Sequence, residues 1–366
     1  MPRRRSFPLA PAVASALALA TGGLAQAAPA ARLEVAAESR SMIWNAVAVD
    51  HGRVFVAGPR WTGSRGPSLG VIDKAGAVRP FPDAAWNGWT AGASPEHAFV
   101  NINSIHLDGR GGLWAVDTGS PQFGGDPLPG GAKLVRIDLA TGKVERVIPL
   151  GPSIAKPGSY VDDIRFNGGH AYLTDAGRPG LIVLDLANGQ ARRVLDDHAS
   201  VVAPADRAIV LDGQVVKAPD GSPLKVNADP FELSPDGQWL YYGPLEGPWS
   251  KIPTRLLDDP AISAEALAFA VEPWADLPPV GGTAMAPNGD LYFTDLAANA
   301  VRKRSPDGTI SLVVQDERLH WMDAPFLEAD GTLWLPTPQM DRVPLFQGGV
   351  SRTQWPVRLY RLRLTP

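Results

Sequence analysis

Residues Phe231–Tyr242 read Phe-Glu-Leu-Ser-Pro-Asp-Gly-Gln-Trp-Leu-Tyr-Tyr, an apolar strand, a Pro-Asp-Gly turn and an aromatic strand. Gly adopts positive φ without steric cost and Asp tolerates or caps the turn, so the two runs reverse and pair. Working outward, the same unit recurs five more times. Ala46–Val49, Asp50-His51-Gly52 and Val54–Ala57 form one copy, and Ile105–Leu107, Asp108-Gly109-Arg110-Gly111 and Leu113–Val116 the next. Ile164–Phe166 turns at Asn167-Gly168-Gly169 into Ala171–Thr174. Thr283–Met285 turns at Pro287-Asn288-Gly289 into Leu291–Thr294, and Pro325–Leu327 turns at Ala329-Asp330-Gly331 into Leu333–Leu335. From Gly52 through Gly109, Gly168, Gly237 and Gly289 to Gly331 the steps are 57, 59, 69, 52 and 42 residues. A four-stranded propeller blade takes roughly 40–50 residues, so the chain is expected to be all-β, a six-bladed β-propeller with enlarged loops.

A second hairpin is legible in several copies, for example Leu134–Ile137 before Asp138-Leu139-Ala140-Thr141-Gly142 and Leu181–Leu184 before Asp185-Leu186-Ala187-Asn188-Gly189. This predicts four antiparallel strands per blade. In the irregular fourth copy, Trp249–Leu257 is expected to supply the third strand. Val357–Leu364 has no turn partner after it and Leu33–Ala37 none before it, so pairing N- and C-terminal strands would close the ring and remove exposed edges. The long, turn-rich Ala199–Ala228 segment reads as a loop over one face, with its own hairpin of Ala208–Val210 and Gln214–Val216. Pro260–Val271 is the best helical candidate.

Arg3-Arg4-Arg5, the apolar run Leu9–Leu24 and Ala25-Gln26-Ala27 form a signal-peptide pattern over residues 1–27. Arg4-Arg5-Ser6-Phe7 matches the core of a twin-arginine signal, with an ordinary secretory signal as the alternative. The expectation is one propeller domain over residues 32–366, periplasmic or secreted and monomeric. No other apolar run approaches the roughly 20 residues that span a bilayer. Without the three arginines, the 34 basic residues fall to 31 against 38 acidic ones, a net charge near −7. That balance, without basic clusters, argues against nucleic acid as a partner. The chain has no cysteine, which excludes thiol catalysis, iron–sulfur clusters and Cys-type zinc sites.

Aligned on their turns, the copies isolate one position just before each innermost strand, occupied by Asn45, Asn103, Asp162, Asp229, Gly281 and Asp323. The innermost strands of a propeller line its channel and run in one direction, so these residues are expected at one mouth. Asp163 would replace Asp162 if the register slips by one. Carboxylate and amide oxygens suit a hard cation such as Ca²⁺, which takes about 6–8 oxygen ligands. Alternatively, Asp and Asn here cap strand starts and satisfy loop N–H groups. Asp117-Thr118-Gly119, Asp175-Ala176-Gly177 and Asp295 end second strands on the same face and read as loop-pinning groups. Trp44 and Trp321 flank ring positions and could stack on a ring-shaped or cationic ligand, as could Trp86 and Trp89 on the loop before blade two. His320 with Asp323 is the one His–carboxylate pair at the ring and a candidate general base. No phosphate loop, G-x-S-x-G or H-x-x-x-H occurs, and no organic cofactor is expected.

Several segments carry a family resemblance. Leu113-Trp114-Ala115-Val116-Asp117-Thr118-Gly119 resembles the "LWVLDTG" signature of the yellow/major royal jelly protein family. Asp162-Asp163-Ile164-Arg165-Phe166 with Ala171-Tyr172-Leu173-Thr174-Asp175-Ala176-Gly177 is similar to its "NDLRFD…AYITDSG" element, and Leu240–Leu245 and Trp321-Met322-Asp323 to its later blades. The resemblance implies a six-bladed propeller outside the cytoplasm. Among relatives it implies pigment-pathway proteins linked to dopachrome conversion, nutritive proteins, and saliva proteins that hold biogenic amines in the channel. The chain also resembles the gluconolactonase/senescence-marker propellers, whose channel Glu, Asn and Asp hold a divalent metal. That likeness selects Asn103, Asp162, Asp229 and Asp323 as metal ligands, whereas Asn45 replaces the first-blade Glu and Gly281 offers no side chain.

Three functions are therefore expected to compete. The first is a channel-mouth binder of a small amine or aromatic ligand, using Trp44, Asn45, Asp163 and Trp321. The second is an enzyme, either a metal-dependent lactonase or a dopachrome-type isomerase, with Asp229, Asp323 and His320 as catalytic groups. The third is protein–protein interaction on the open propeller face.

Overall fold

Alternation along Leu113-Trp114-Ala115-Val116 shows how the blades stack. In the computed structural model, which describes Met1 and residues 32–364, Leu113 and Ala115 pack toward blade one. Trp114 and Val116, pointing the other way, pack toward blade three. Successive strand side chains face opposite sides, so an all-apolar strand is one buried on both faces. The core consists of the seams between neighbouring blades.

Six four-stranded antiparallel sheets form the ring. Their innermost strands are Ala46–Asp50, Ile102–Leu107, Val161–Asn167, Ala228–Leu233, Val280–Met285 and Phe326–Leu327. Each contacts the next around the circle, and Ala46 bridges Ala324 in parallel where the ring meets itself. Blade six contains Phe326–Leu327, Thr332–Thr337 and Val357–Arg363, with Glu34–Ser39 as its outermost strand. Val357–Arg363 pairs antiparallel with both Thr332–Thr337 and Glu34–Ser39, so the two ends of the propeller are joined as expected. The signal-peptide reading of residues 1–27 lies outside the described residues. No helix among the described residues is long and apolar enough to cross a membrane.

Local chemistry shortens two expected elements. The third strand of blade four is Trp249–Pro253, because the Thr254 hydroxyl donates to the Gly237 carbonyl (2.6 Å) and the chain turns into a helix, Thr254–Asp258. The helix expected over Pro260–Val271 is only Ala264–Phe269, started by Ser263, whose hydroxyl accepts the Ala266 N–H. The insertion hairpin is Val210–Leu211 with Gln214–Val215, its first strand starting two residues later than the expected Ala208–Val210 and its second ending one residue before Val216.

Candidate functional site

The ring positions predicted from the turns do converge. Asn45, Asn103, Asp162, Asp229, Gly281 and Asp323 all line one small cavity on the channel axis. The backbone aims them differently from the sequence expectation. Asn103, Asp162, Asp229 and Gly281 lie inside their strands, where the ladder breaks register between Ile102 and Ser104, Val161 and Ile164, Ala228 and Phe231, and Val280 and Thr283. A bulge at the rim re-aims a side chain and ends regular pairing, and four blades repeat the device at one height. Blade five cannot fill its place, because a Cβ on Gly281 would lie 2.1 Å from the Met322 carbonyl oxygen.

Hydrogen bonds run along one side of this floor. Asn45 Nδ2 donates to Asn103 Oδ1 (3.2 Å), and Asn103 Nδ2 donates to Asp162 Oδ1 (2.6 Å). The Tyr160 hydroxyl donates to Asn103 Oδ1 (2.9 Å) and accepts from Trp61 Nε1 (3.0 Å). Asn45 Oδ1 is buried without a partner. Asp323 Oδ1 accepts the N–H of its neighbour Ala324 (3.0 Å), and among the described residues the Asp229 carboxylate accepts no hydrogen bond. Burial, and then the charge of neighbouring carboxylates, pushes Asp162 and Asp229 well above the usual carboxylate range. Burial, with Asp163 adding to it, pushes Asp323 up to about 8. Burial likewise raises the Tyr160 phenol.

Adjoining it lies a second, partly open space of about 50 Å³, bounded by Trp61, Phe123, Tyr160, Trp321, Met340 and Phe346, with Asp162, Asp229 and Asp323 at its base. Among the described residues, neither space has a Lys or Arg in its wall. The upper wall is completed by Leu224 and Val226 of the 199–228 insertion. Its Ile209, Leu211 and Val216 join a cluster with Tyr160, Leu245, Leu296, Trp321 and Met340, against which Trp61, Phe123 and Phe346 also pack. All six blades contribute to that cluster, so the insertion plugs the mouth.

The other candidates separate. Trp321 bounds the cavity. Trp44 does not: it is fully buried in the blade one–blade six seam, its indole N–H donating to the Arg358 carbonyl (3.1 Å). Trp86 packs on Phe99, and the Trp89 indole donates to the Ala93 carbonyl, so both serve a loop. Asp163 faces the lower space, but Arg165 holds it at 2.5 Å. Arg165 also grips Glu232 bidentately (3.1 and 2.9 Å), and Thr283 donates to Glu232 (3.1 Å), tying blades three, four and five together. His320 is turned away from Asp323. Its Nε2 lies 2.8 Å from Asp341, in a separate polar cleft of about 380 Å³, so a His320–Asp323 base pair does not form.

The second-strand aspartates are loop pins. Asp117 accepts the N–H groups of Val100, Asn101 and Gly119 and pairs with buried Lys133 (2.7 Å). Asp175 accepts from Tyr160, Gly177 and Arg178 and pairs with Arg193 (2.7 Å), which fixes Tyr160 over the cavity. Sequence reasoning missed Trp61, Phe123, Tyr160, Met340 and Phe346, because they sit in loops without strand periodicity. Tyr160, two residues before Asp162, was the one with a positional signal.

The metal expected on Asn103, Asp162, Asp229 and Asp323 meets a difficulty in the donor set. The Asn103 oxygen already accepts two hydrogen bonds, and its amide is spent on Asp162. Among the described residues, no three His, Asp or Glu groups are spaced to hold one metal ion. As arranged, these residues do not form a coordination set.

Solved propellers resemble the whole fold at low identity. Virginiamycin B lyase from Staphylococcus aureus superposes with a TM-score of 0.51 at 12% identity, covering 92% of this chain and 100% of that one. Regucalcin from Agrobacterium tumefaciens, described as a calcium-binding protein, gives 0.52 at 13% (90% and 93% covered), and a putative gluconolactonase 0.53 at 12% (92% and 93% covered). At such identities the likeness shows the fold alone. Among curated proteins none matches the chain significantly. Residues 100–343, from the loop entering blade two to the turn after the second strand of blade six, match the family described as Major royal jelly protein. With that match over two-thirds of its length, the chain belongs to the major royal jelly protein family.

Proposed function

We propose that this protein is an exported binding protein that holds a small organic cation, an ammonium group on an aromatic or apolar body, at the channel mouth. One observation carries the reading. Three carboxyl groups, buried Asp162 and half-buried Asp229 and Asp323, form the base of a cavity walled by Trp61, Phe123, Tyr160 and Trp321, with no basic side chain among the described residues of the wall. A cation supplies what this site lacks. It neutralises carboxylates that are otherwise driven to hold protons. Aromatic faces attract a desolvated ammonium by about 0.5–2 kcal/mol each. Nothing in the site assembles a nucleophile and a base, and His320 is absent from it.

Tryptophan fluorescence and calorimetry with phenethylamine, its neutral analogue 2-phenylethanol and 3-phenylpropionate test the reading. The amine is expected to bind at least ~10-fold more tightly than the alcohol, as loss of a charge-assisted contact of about 1.5–3 kcal/mol requires, and the carboxylate not at all. Asp229→Asn and Asp323→Asn each weaken the amine by a similar factor. Equal binding of amine and alcohol overturns the proposal. So does stoichiometric metal in the purified protein with chelator-sensitive lactone hydrolysis or dopachrome conversion, the result an enzyme reading requires.

A further inference from the structure

Across blade two, His106, Trp114, Arg136 and Arg146 stand in register, one on each strand from the innermost Ile102–Leu107 to the outermost Lys143–Pro149. Residues paired in this way project from one face of a sheet, and Trp114 shows that this face meets blade three. Two arginines directly opposite each other repel and weaken a ladder unless something offsets them. Here they border a cleft of about 460 Å³ between blades two and three, a volume within the range of small-molecule sites. Asp108, Arg110 and Gly168 in its wall belong to hairpin turns, at the opposite ends of the innermost strands from Asn103 and Asp162. The cleft therefore lies on the face away from the channel mouth.

We propose that this cleft is a second ligand site, for a flat apolar molecule carrying an acidic group at each end. The site is separate from the channel mouth and does not depend on what binds there.

The distribution of charge carries the proposal. Arg110, Arg136 and Arg146 share the wall with two carboxylates, Asp108 and Glu145. Both carboxylates are taken up by Arg136: Asp108 accepts from its Nε (2.8 Å), and Glu145 pairs with it. Arg110 and Arg146 each donate to a carbonyl of blade three, Gly168 (2.8 Å) and Leu186, and among the described residues neither has an ion-pair partner. The wall is thus positive at its two ends and negative between them. Arg110 sits in the turn between the first two strands and Arg146 on the fourth, which separates their backbones by about 12 Å at the usual strand spacing. Two separated acidic groups match that pattern, whereas one compact anion at the centre would face Asp108 and Glu145.

Between the ends the surface suits a flat body. Half-buried Phe166 lies 5.4 Å from buried Trp114, and His106 stacks on it at 6.1 Å. The Trp114 indole donates to Asp108 (3.0 Å), which holds the floor in place, and Leu186 closes one side. An aromatic ligand gains offset stacking on such a floor.

The neighbouring seams use the same staple without the excess charge. Arg53 of blade one donates to the Leu139 carbonyl of blade two (2.8 Å), and Arg192 of blade three to the Leu257 carbonyl of blade four, as Arg146 does to Leu186. Arg53 carries its own acid, Asp50 (2.5 Å), and Arg192 lies in the field of Asp258 and Asp259. Stapling blades together does not call for an uncompensated guanidinium, so the charge of Arg146 is left for a ligand.

Calorimetry on the full protein with naphthalene-2,6-dicarboxylate and 2-naphthoate tests the site. The dianion is expected to bind one per chain and at least ~10-fold more tightly than the monoanion, which lacks one charge-assisted contact. A smaller monocarboxylate such as 3-phenylpropionate, held by one guanidinium, should give no measurable heat. Arg110→Gln, at an exposed turn, and Arg146→Gln should each weaken the dianion about tenfold, for the same lost contact. Arg146→Lys, which keeps the charge, should restore part of that loss, and Arg352→Gln on blade six should change nothing. Should Arg146→Gln fail to fold, Arg110→Gln alone decides. Equal affinity for the two naphthalenes, no saturation by the dianion up to about 1 mM, or wild-type affinity in Arg110→Gln overturns the proposal. The channel mouth is read separately: Asp229→Asn should leave dianion binding intact, and its loss in that variant overturns the assignment to this cleft.

Discussion

Replacing Arg165 by Met should destabilise the propeller by about 3–5 kcal/mol at pH 7, the cost of removing one partner from a buried ion cluster. Arg165 is 7% exposed and is the one cation between Asp163 and Glu232, all three on innermost strands. Met fills much of the volume, so the loss is electrostatic and not a cavity. Burial alone would raise Asp163, but the Arg165 charge and hydrogen bond hold it below the usual range. A carboxyl with a depressed folded pKa contributes stability above its unfolded value of about 3.9, and this is lost as pH falls through the folded pKa. The variant lacks that contribution at neutral pH and instead leaves Asp163 and Glu232 without the cation between them, a repulsion that acid relieves. The destabilisation should therefore shrink in acid. Urea denaturation at pH 7 and pH 4.5 measures it, and thermal scans should show a fall of roughly 2 °C per kcal/mol. NMR of His106, driven down to about 3 by burial and then by Arg165, should show its pKa rising in the variant. A loss under about 1 kcal/mol at pH 7, or an equal loss at both pH values, refutes the reasoning.

Asp323 carries the opposite sign. Its folded pKa is raised to about 8, so the stability it contributes is complete below about 3.8 and is lost as pH climbs to about 8. Asp323→Asn should flatten, without abolishing, the alkaline decline of the melting temperature, since Asp162 and Asp229 act in the same direction. Gly119→Ala should yield no soluble folded protein on expression, because φ is +67° and the added Cβ would lie 2.0 Å from the Ala132 nitrogen. Trp44→Phe should leave phenethylamine affinity unchanged in a fluorescence titration. Trp61→Leu should weaken it about fivefold, the value of one aromatic contact of about 1 kcal/mol.

The architecture was legible because it is periodic. Six turns with Gly at a shared position set the blade count, and strand direction then placed Asn45, Asn103, Asp162, Asp229 and Asp323 at a common mouth. What escaped was whatever depends on side-chain direction in irregular backbone. Trp44 and Trp321 both flank ring residues, yet Trp321 adopts φ +48° and turns over the cavity while Trp44 turns into a blade seam. His320 is three residues from Asp323, and that same turn points it the other way. Asp163 looked like a spare ring residue until Arg165, two positions on, proved to neutralise it. The 199–228 segment read as a polar loop, because its few apolar residues (Ile209, Leu211, Val216, Leu224 and Val226) have no period to announce a buried face.

Blade six draws its outermost strand from the front of the chain and its other three from the back. During synthesis the protein is therefore an open arc, and Glu34–Ser39 has no partner until Val357–Arg363 exists. Pairings so distant in sequence form late, after the local hairpins. The seam also touches the site. Trp44 is bonded to Arg358 across it, and the next residue, Asn45, begins the hydrogen-bonded line to Asp162. A nascent or C-terminally clipped chain would thus carry well-made blades and an unformed pocket, so the ligand binding proposed above would report on whether the chain has been finished.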